Sequence, residues 1–122
     1  MNTRIVYKVC LVRGGLNQSA RFGTVHYAIN RKVAAPENTR LFCFETYEAA
    51  ENFRDRHHEA IFKARAEGIS RPSSIAECYG SISPYWRAKQ QKKSIQKVQN
   101  IRLKTPPAGT LFAKTITLLE RV

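Results

Sequence analysis

Long apolar runs are missing from this 122-residue chain. No stretch approaches the ~20 consecutive apolar residues that span a bilayer. The opening run from Ile5 to Val12 is interrupted by Lys8. A signal-peptide cleavage pattern is also missing at the N-terminus. The expectation is a protein that is neither exported by an evident signal nor embedded in a membrane, and that works in the cytoplasm.

Cysteine is scarce. Cys10, Cys43 and Cys78 are odd in number and far apart, with no CxxC pair. That leaves neither a disulfide framework nor zinc-ribbon spacing. Cys10 and Cys43 lie in apolar, strand-like runs and read as small buried hydrophobes, which fits a reducing, intracellular compartment. The three histidines give no metal spacing. His57 and His58 are adjacent, so on a helix they point about 100° apart, and His26 is remote in sequence. Neither a P-loop nor a GxGxxG fingerprint is present, and no local signature marks a catalytic serine or cysteine. Glu48, Glu51 and Asp55 read as the solvated face of a helix. No metal or cofactor is expected, and an enzyme is the less favoured class.

The third shortage is acid. Nine Asp and Glu face 21 Lys and Arg, for a formal net charge of +12 and a pI near 10.1. Small domains usually carry a net charge of magnitude ~2–8, and a larger excess points to a polyanionic partner. The excess is uneven. Residues 1–36 hold six basic residues and no acid; residues 37–77 hold six basic residues and eight acids; residues 78–122 hold nine basic residues and Glu120 alone.

An apolar fraction of 43% is ordinary for a globular protein and argues against global disorder. The length suits one domain over 1–122. Ile5–Val12 reads as a strand buried on both faces, and Gly14 to Ser19 as a loop. Phe22 to Ile29 reads as a second strand, turning at Asn30-Arg31-Lys32 into a return over Val33 to Ala35. Leu41–Phe44 is a short apolar strand. Thr46 is a helix N-cap, followed by one apolar face of Ala49, Ala50 and Phe53. Ala60 to Ala66 alternates, with Lys63 and Arg65 on its wet face, and Gly68 closes it. A short strand or turn is expected around Ile75 to Tyr79, and a short strand at Ile101 and Leu103. The last strand runs from Leu111 to Val122, with Phe112, Ile116, Leu118 and Val122 on one face. Together these pieces give an α+β domain: a twisted, mostly antiparallel sheet with one main helix over about 46–58. A second, basic helix is expected over about 84–98, or in its place a loop that orders on binding.

The densest basic stretch runs from Arg87 to Lys104. Lys89, Lys92, Lys93, Lys97, Arg102 and Lys104 suit phosphate neutralisation, and the neighbouring Tyr85 and Trp86 suit base stacking. The other reading of this stretch is a solvated helix face with Trp86 as a core anchor. Arg13, Arg21, Arg31 and Lys32 form a second candidate set for phosphate, provided that the first and last strands are neighbours and merge their cations. Arg13 precedes Gly14-Gly15, whose backbone N–H groups can cradle an anion.

Two resemblances add context. Tyr7-Lys8-Val9, Leu41 to Thr46 leading into Ala49-Ala50 and Phe53, then Ile61 to Ala64, and the closing Pro107-x-Gly109-Thr110-Leu111 with Leu118-Leu119 and Val122 together resemble a set of small proteins carried by bacteriophages and prophages. That set carries no activity to transfer, and the resemblance implies action inside a bacterial host cell. The strand–Thr–helix–strand piece also resembles a segment of ADP-ribosyltransferase-like folds. There an arginine or histidine ends an early strand, the place Arg13 takes, and Tyr27 takes that of a ring-stacking residue. The ExE catalytic pair of those folds is missing.

The leading expectation is a non-enzymatic anion-binding protein whose partner is nucleic acid, DNA or RNA. The alternatives are a small-nucleotide binder or sequestering protein of phage origin that uses Arg13 and Arg21, and an interaction or inhibitory module. The last docks on an acidic host protein or pairs as a homo-oligomer through an edge strand.

Overall fold

The longest strand grows from the densest β-branched and aromatic run, Thr3–Arg13 (β1). Such side chains fit a pleated, enclosed surface. Over Val6–Cys10 both faces are covered: Val6, Lys8 and Cys10 on one side, Val9 and half-buried Tyr7 on the other. The computed structural model describes residues 2–13, 16–19, 25–36, 39–54, 59–78 and 101–122, and for 13, 16–19, 76–78 and 101–103 the backbone alone.

Ten strands and one helix follow in chain order among the described residues. They are β1, β2 (Leu16–Ser19), β3 (His26–Tyr27), β4 (Lys32–Ala34), β5 (Leu41–Phe44), α1 (Tyr47–Phe53), β6 (Glu59–Glu67), β7 (Ile75–Cys78), β8 (Ile101–Lys104), β9 (Thr110–Ala113) and β10 (Thr115–Arg121). The main sheet runs β3-β2-β1-β6-β10-β4, with antiparallel strand pairing throughout. β1 and β6 register from Thr3↔Glu67 to Leu11↔Glu59. The other edge of β1 is shared: Cys10 to Arg13 pair with β2, while Tyr7 pairs with Phe44 of β5. β5 in turn carries β9.

β9 and β10 are one length of chain turned at Lys114, so the circuit β1–β6–β10–β9–β5 returns to β1. It curls around one apolar interior of Val6, Cys10, Leu41, Cys43, Phe62, Leu111, Ala113, Ile116 and Leu118. β6 contributes Ala60, Ala64 and Ala66 to this interior. Their partners across the sheet are larger: Ala64 lies between Val6 and Leu118, and Ala66 is opposite Ile116. Small residues on the central strand leave room for bulky ones on both sides, as dense packing requires.

A second cluster sits on the outer face. Val9, Phe44, Ala50 and Ile61 are buried there, with Phe42, Ala49 and Phe53 against them. α1 covers this end of the sheet only. Its N-cap is Thr46, whose side-chain oxygen accepts from the Ala49 N–H at 3.1 Å.

The single main helix and the mostly antiparallel sheet agree with the sequence expectation, and several details differ. The segment expected as a loop after Gly15 is β2, drawn into a hairpin by pairing with Cys10 to Arg13. Asn30 does make a turn, at φ 63°, yet the segments beside it do not pair as a hairpin. Ile29 bridges to Leu118 and β4 pairs with β10, while β3 pairs with β2. The helix stops at Phe53, where Arg54 turns extended, because residues 54–58 offer no apolar side chain to bury. The closing strand is broken at Lys114 and carries a bulge between Leu118 and Glu120. Leu111 and Ala113 are thereby buried, and Val122 is 51% exposed. The expected basic helix at 84–98 lies outside the described residues.

Candidate functional site

β7 and β8 stand apart from the main sheet as a two-stranded antiparallel pair, registered from Ile75↔Lys104 to Cys78↔Ile101. The stem holds the two ends of the intervening segment at one place. Residues 79–100 contain Arg87, Lys89, Lys92, Lys93 and Lys97 and no acid. Tyr85, Trp86, Lys89, Lys92, Lys93 and Lys97 lie outside the described residues. Arg102 lies in β8 opposite Glu77, and Lys104 is exposed at the foot of the stem opposite Ile75.

Lys104 also lines a groove of about 610 Å³ between the stem's foot and the helix, with Glu45, Glu48, Asn52, Phe53 and Ala108 among its walls. Two carboxylates against one lysine make this groove less suited to an anion than the basic stretch.

The residues of the second candidate set are described only in part. β1 and β10 are not neighbours, because β6 lies between them. Arg13 is the last residue of β1, and Arg21 lies outside the described residues. Arg31 is exposed. Lys32 is engaged, with its Nζ 2.8 Å from Glu67 Oε1. The hydrogen bond from Lys32, with that from Thr115 Oγ1 at 2.9 Å, holds the Glu67 carboxyl below its ordinary range. Arg71 donates to both oxygens of Glu45, at 3.2 and 3.0 Å.

The outer sheet face holds residues that charge counting passed over. Beyond the end covered by α1 its described side chains on β1 and β6 are half-buried to exposed. On β6 it presents half-buried Lys63 and exposed Arg65, neither of which has an ion pair among the described residues. Tyr7 lies opposite Lys63, and Ile5, 43% exposed, lies opposite Arg65. Across β10 the Arg65 row continues through Thr117 to Lys32. Tyr47, 44% exposed, sets its ring edge-on to Tyr7, with centroids 6.0 Å apart. The alternation of β6 had marked Lys63 and Arg65 as wet. The approach of Tyr7 and Tyr47 had no sequence signal, since the two are 40 residues apart.

The interior holds a further polar group. Lys8 is 2% exposed. Its Nζ donates to the Phe42 carbonyl oxygen at 2.7 Å and lies 4.7 Å from the Phe42 ring centre and 5.6 Å from that of Tyr27. Burial pushes the ammonium's pKa down, against a smaller opposing effect of Cys10 and Cys43. Burial likewise pushes the Cys10 thiol up to about 11 and the Cys43 thiol up to about 12. Both are protonated near neutrality, hence weak nucleophiles. The Tyr27 ring is 4% exposed and belongs to the core. Among the described residues no three His, Cys, Asp or Glu side chains gather in a metal-ligating cluster, and no helix is long and apolar enough to cross a membrane. The chain matches no known family, no curated protein and no solved structure.

Proposed function

We propose that this protein binds nucleic acid without catalysing a reaction, through the basic stretch between β7 and β8. The observation that carries this reading is the register Cys78↔Ile101. It anchors both ends of a segment that has five cations and no acid. A segment tethered at both ends loses less chain entropy on binding than a free tail, and its lysines release condensed counterions as they meet phosphate. Arg102 and Lys104 extend the positive charge down the second arm of the stem, and Tyr85 and Trp86 supply rings for stacking.

The test is fluorescence anisotropy with a mixed-sequence oligonucleotide. Binding is expected at ~50 mM salt, with release by ~200–300 mM. Lys92→Glu with Lys93→Glu weakens binding and flattens the salt dependence by ~0.7–0.9 for each phosphate no longer neutralised. Failure to retain any oligonucleotide at low salt removes the reading. A protein pull-down that survives nuclease treatment then favours an acidic protein partner.

A further inference from the structure

Beyond α1, the outer sheet face combines three features among the described residues: a fixed strand register, two rings in contact and, on one strand, two cations without an ion pair. We infer that this surface contacts unpaired nucleotides, so that the preferred ligand is single-stranded nucleic acid. The inference rests on the nucleic-acid reading above and names its substrate class.

The argument starts from the strand. Lys63 and Arg65 are two residues apart on β6, so they share a face and stand about 6.8 Å apart along the strand. That interval is comparable to the spacing of successive phosphates in an extended single strand. On the β1 side, each has an apolar or aromatic neighbour in register, Tyr7 for Lys63 and Ile5 for Arg65. Tyr47 adds a second, more exposed ring beside Tyr7. Rings and apolar side chains beside cations let bases lie flat while phosphates meet charge. A duplex hides the faces of its bases within the stack and leaves only its phosphates for such a surface, so the rings have no use for it.

The carboxylates nearby set the limits of the surface. Glu67 is engaged by Lys32 and Thr115. Glu51 accepts from the Tyr47 hydroxyl at 3.0 Å and from Arg54, also at 3.0 Å. Glu120 lies opposite Lys63 in register. Arg65 has Ile5 and Thr117 beside it across the sheet, and the one acid whose charge it meets, Glu67, is already hydrogen-bonded by Lys32 and Thr115, which leaves Arg65 the main phosphate contact of the sheet.

The test compares single-stranded and duplex oligonucleotides of the same length at low salt. The wild type is expected to bind the single strand at least about tenfold more tightly. Arg65→Gln with Lys63→Gln lowers single-strand affinity by about tenfold and duplex affinity by less than about twofold. Tyr47→Ala is expected to act the same way, with both melting curves checked. Photo-cross-linking of the wild-type protein to a 5-iodouracil single strand provides a readout independent of the variants' folding, and attachment is expected at Tyr7 or Tyr47. Equal binding of both forms, unchanged by the substitutions, with cross-links confined to other segments, overturns the sheet-face inference and leaves the basic-stretch reading standing. Absence of binding to either form removes both.

Discussion

At the scale of the residue, Lys8 makes the sharpest statement. A lysine in the middle of an apolar strand breaks the pattern, and the fold buries it almost completely. Its bond to the Phe42 carbonyl crosses from β1 to β5, two strands whose backbone register consists of Tyr7↔Phe44. The amine therefore helps hold a seam that the backbone ladder holds weakly. The pKa directions fix the pH response. Lys8 is pushed below its ordinary 10.5, so below 10.5 the unfolded chain binds the extra proton and stability rises with pH. The thiols of Cys10 and Cys43 are pushed up from 9.0. Above 9 the native state keeps protons that the unfolded chain releases, and stability falls with pH. Urea denaturation between pH 7 and 11 is expected to show a maximum near pH 9, with slopes of at most ~1.4 kcal/mol per pH unit for each proton. Lys8→Met removes the rising limb. At neutral pH its stability is equal to the wild type's or higher by about 1–2 kcal/mol, because an apolar side chain of similar length replaces a buried polar group whose desolvation is costly.

At the scale of the element, α1 shows how little helix is needed when its ends are fixed. Two turns would not persist alone in water. Thr46 caps one end, and Ala50 with Phe53 buries the inner face. The loop before β9 closes over the outside. Gly109 has φ +82°, and a Cβ there would lie 2.7 Å from the Ala49 Cβ. Gly109→Ala is expected to cost about 2 kcal/mol, from backbone strain and from displacement of the helix. The shift in urea midpoint measures it, and an unchanged midpoint contradicts this docking. Local signals reached these elements well. The Thr46 cap, the Ala49-Ala50-Phe53 face, the Leu41–Phe44 strand and the alternation of β6 were legible because cap chemistry and side-chain period are properties of neighbouring residues. β2 was not legible. Leu16-Asn-Gln-Ser has no strand pattern of its own and is extended because the end of β1 offers unpaired backbone groups.

At the scale of the whole molecule, charge and core are divided between parts. The interior is built from the main sheet, whereas the basic stretch leaves from a separate two-stranded stem. Replacing residues 79–100 by an Asn-Gly turn across Cys78 and Ile101, a length that suits a two-residue hairpin, should leave the melting temperature within a few degrees and abolish duplex binding. A large drop in melting temperature would instead identify Trp86 as a core anchor.

The sequence by itself determined the excess of cations, the placing of eight of the nine acids in the middle third, and the local elements that a cap or a side-chain period specifies. The tertiary structure decided which strands are neighbours. β6, from that acidic third, lies between the first and last strands. Its wet residues Lys63 and Arg65 share the outer sheet face with Tyr7, against which Tyr47 sets its ring. The physical reason is that hydrophobic period is written locally, while strand partnership is settled by burial: the small Ala64 of β6 fits between Val6 of β1 and Leu118 of β10, and no local pattern records that fit.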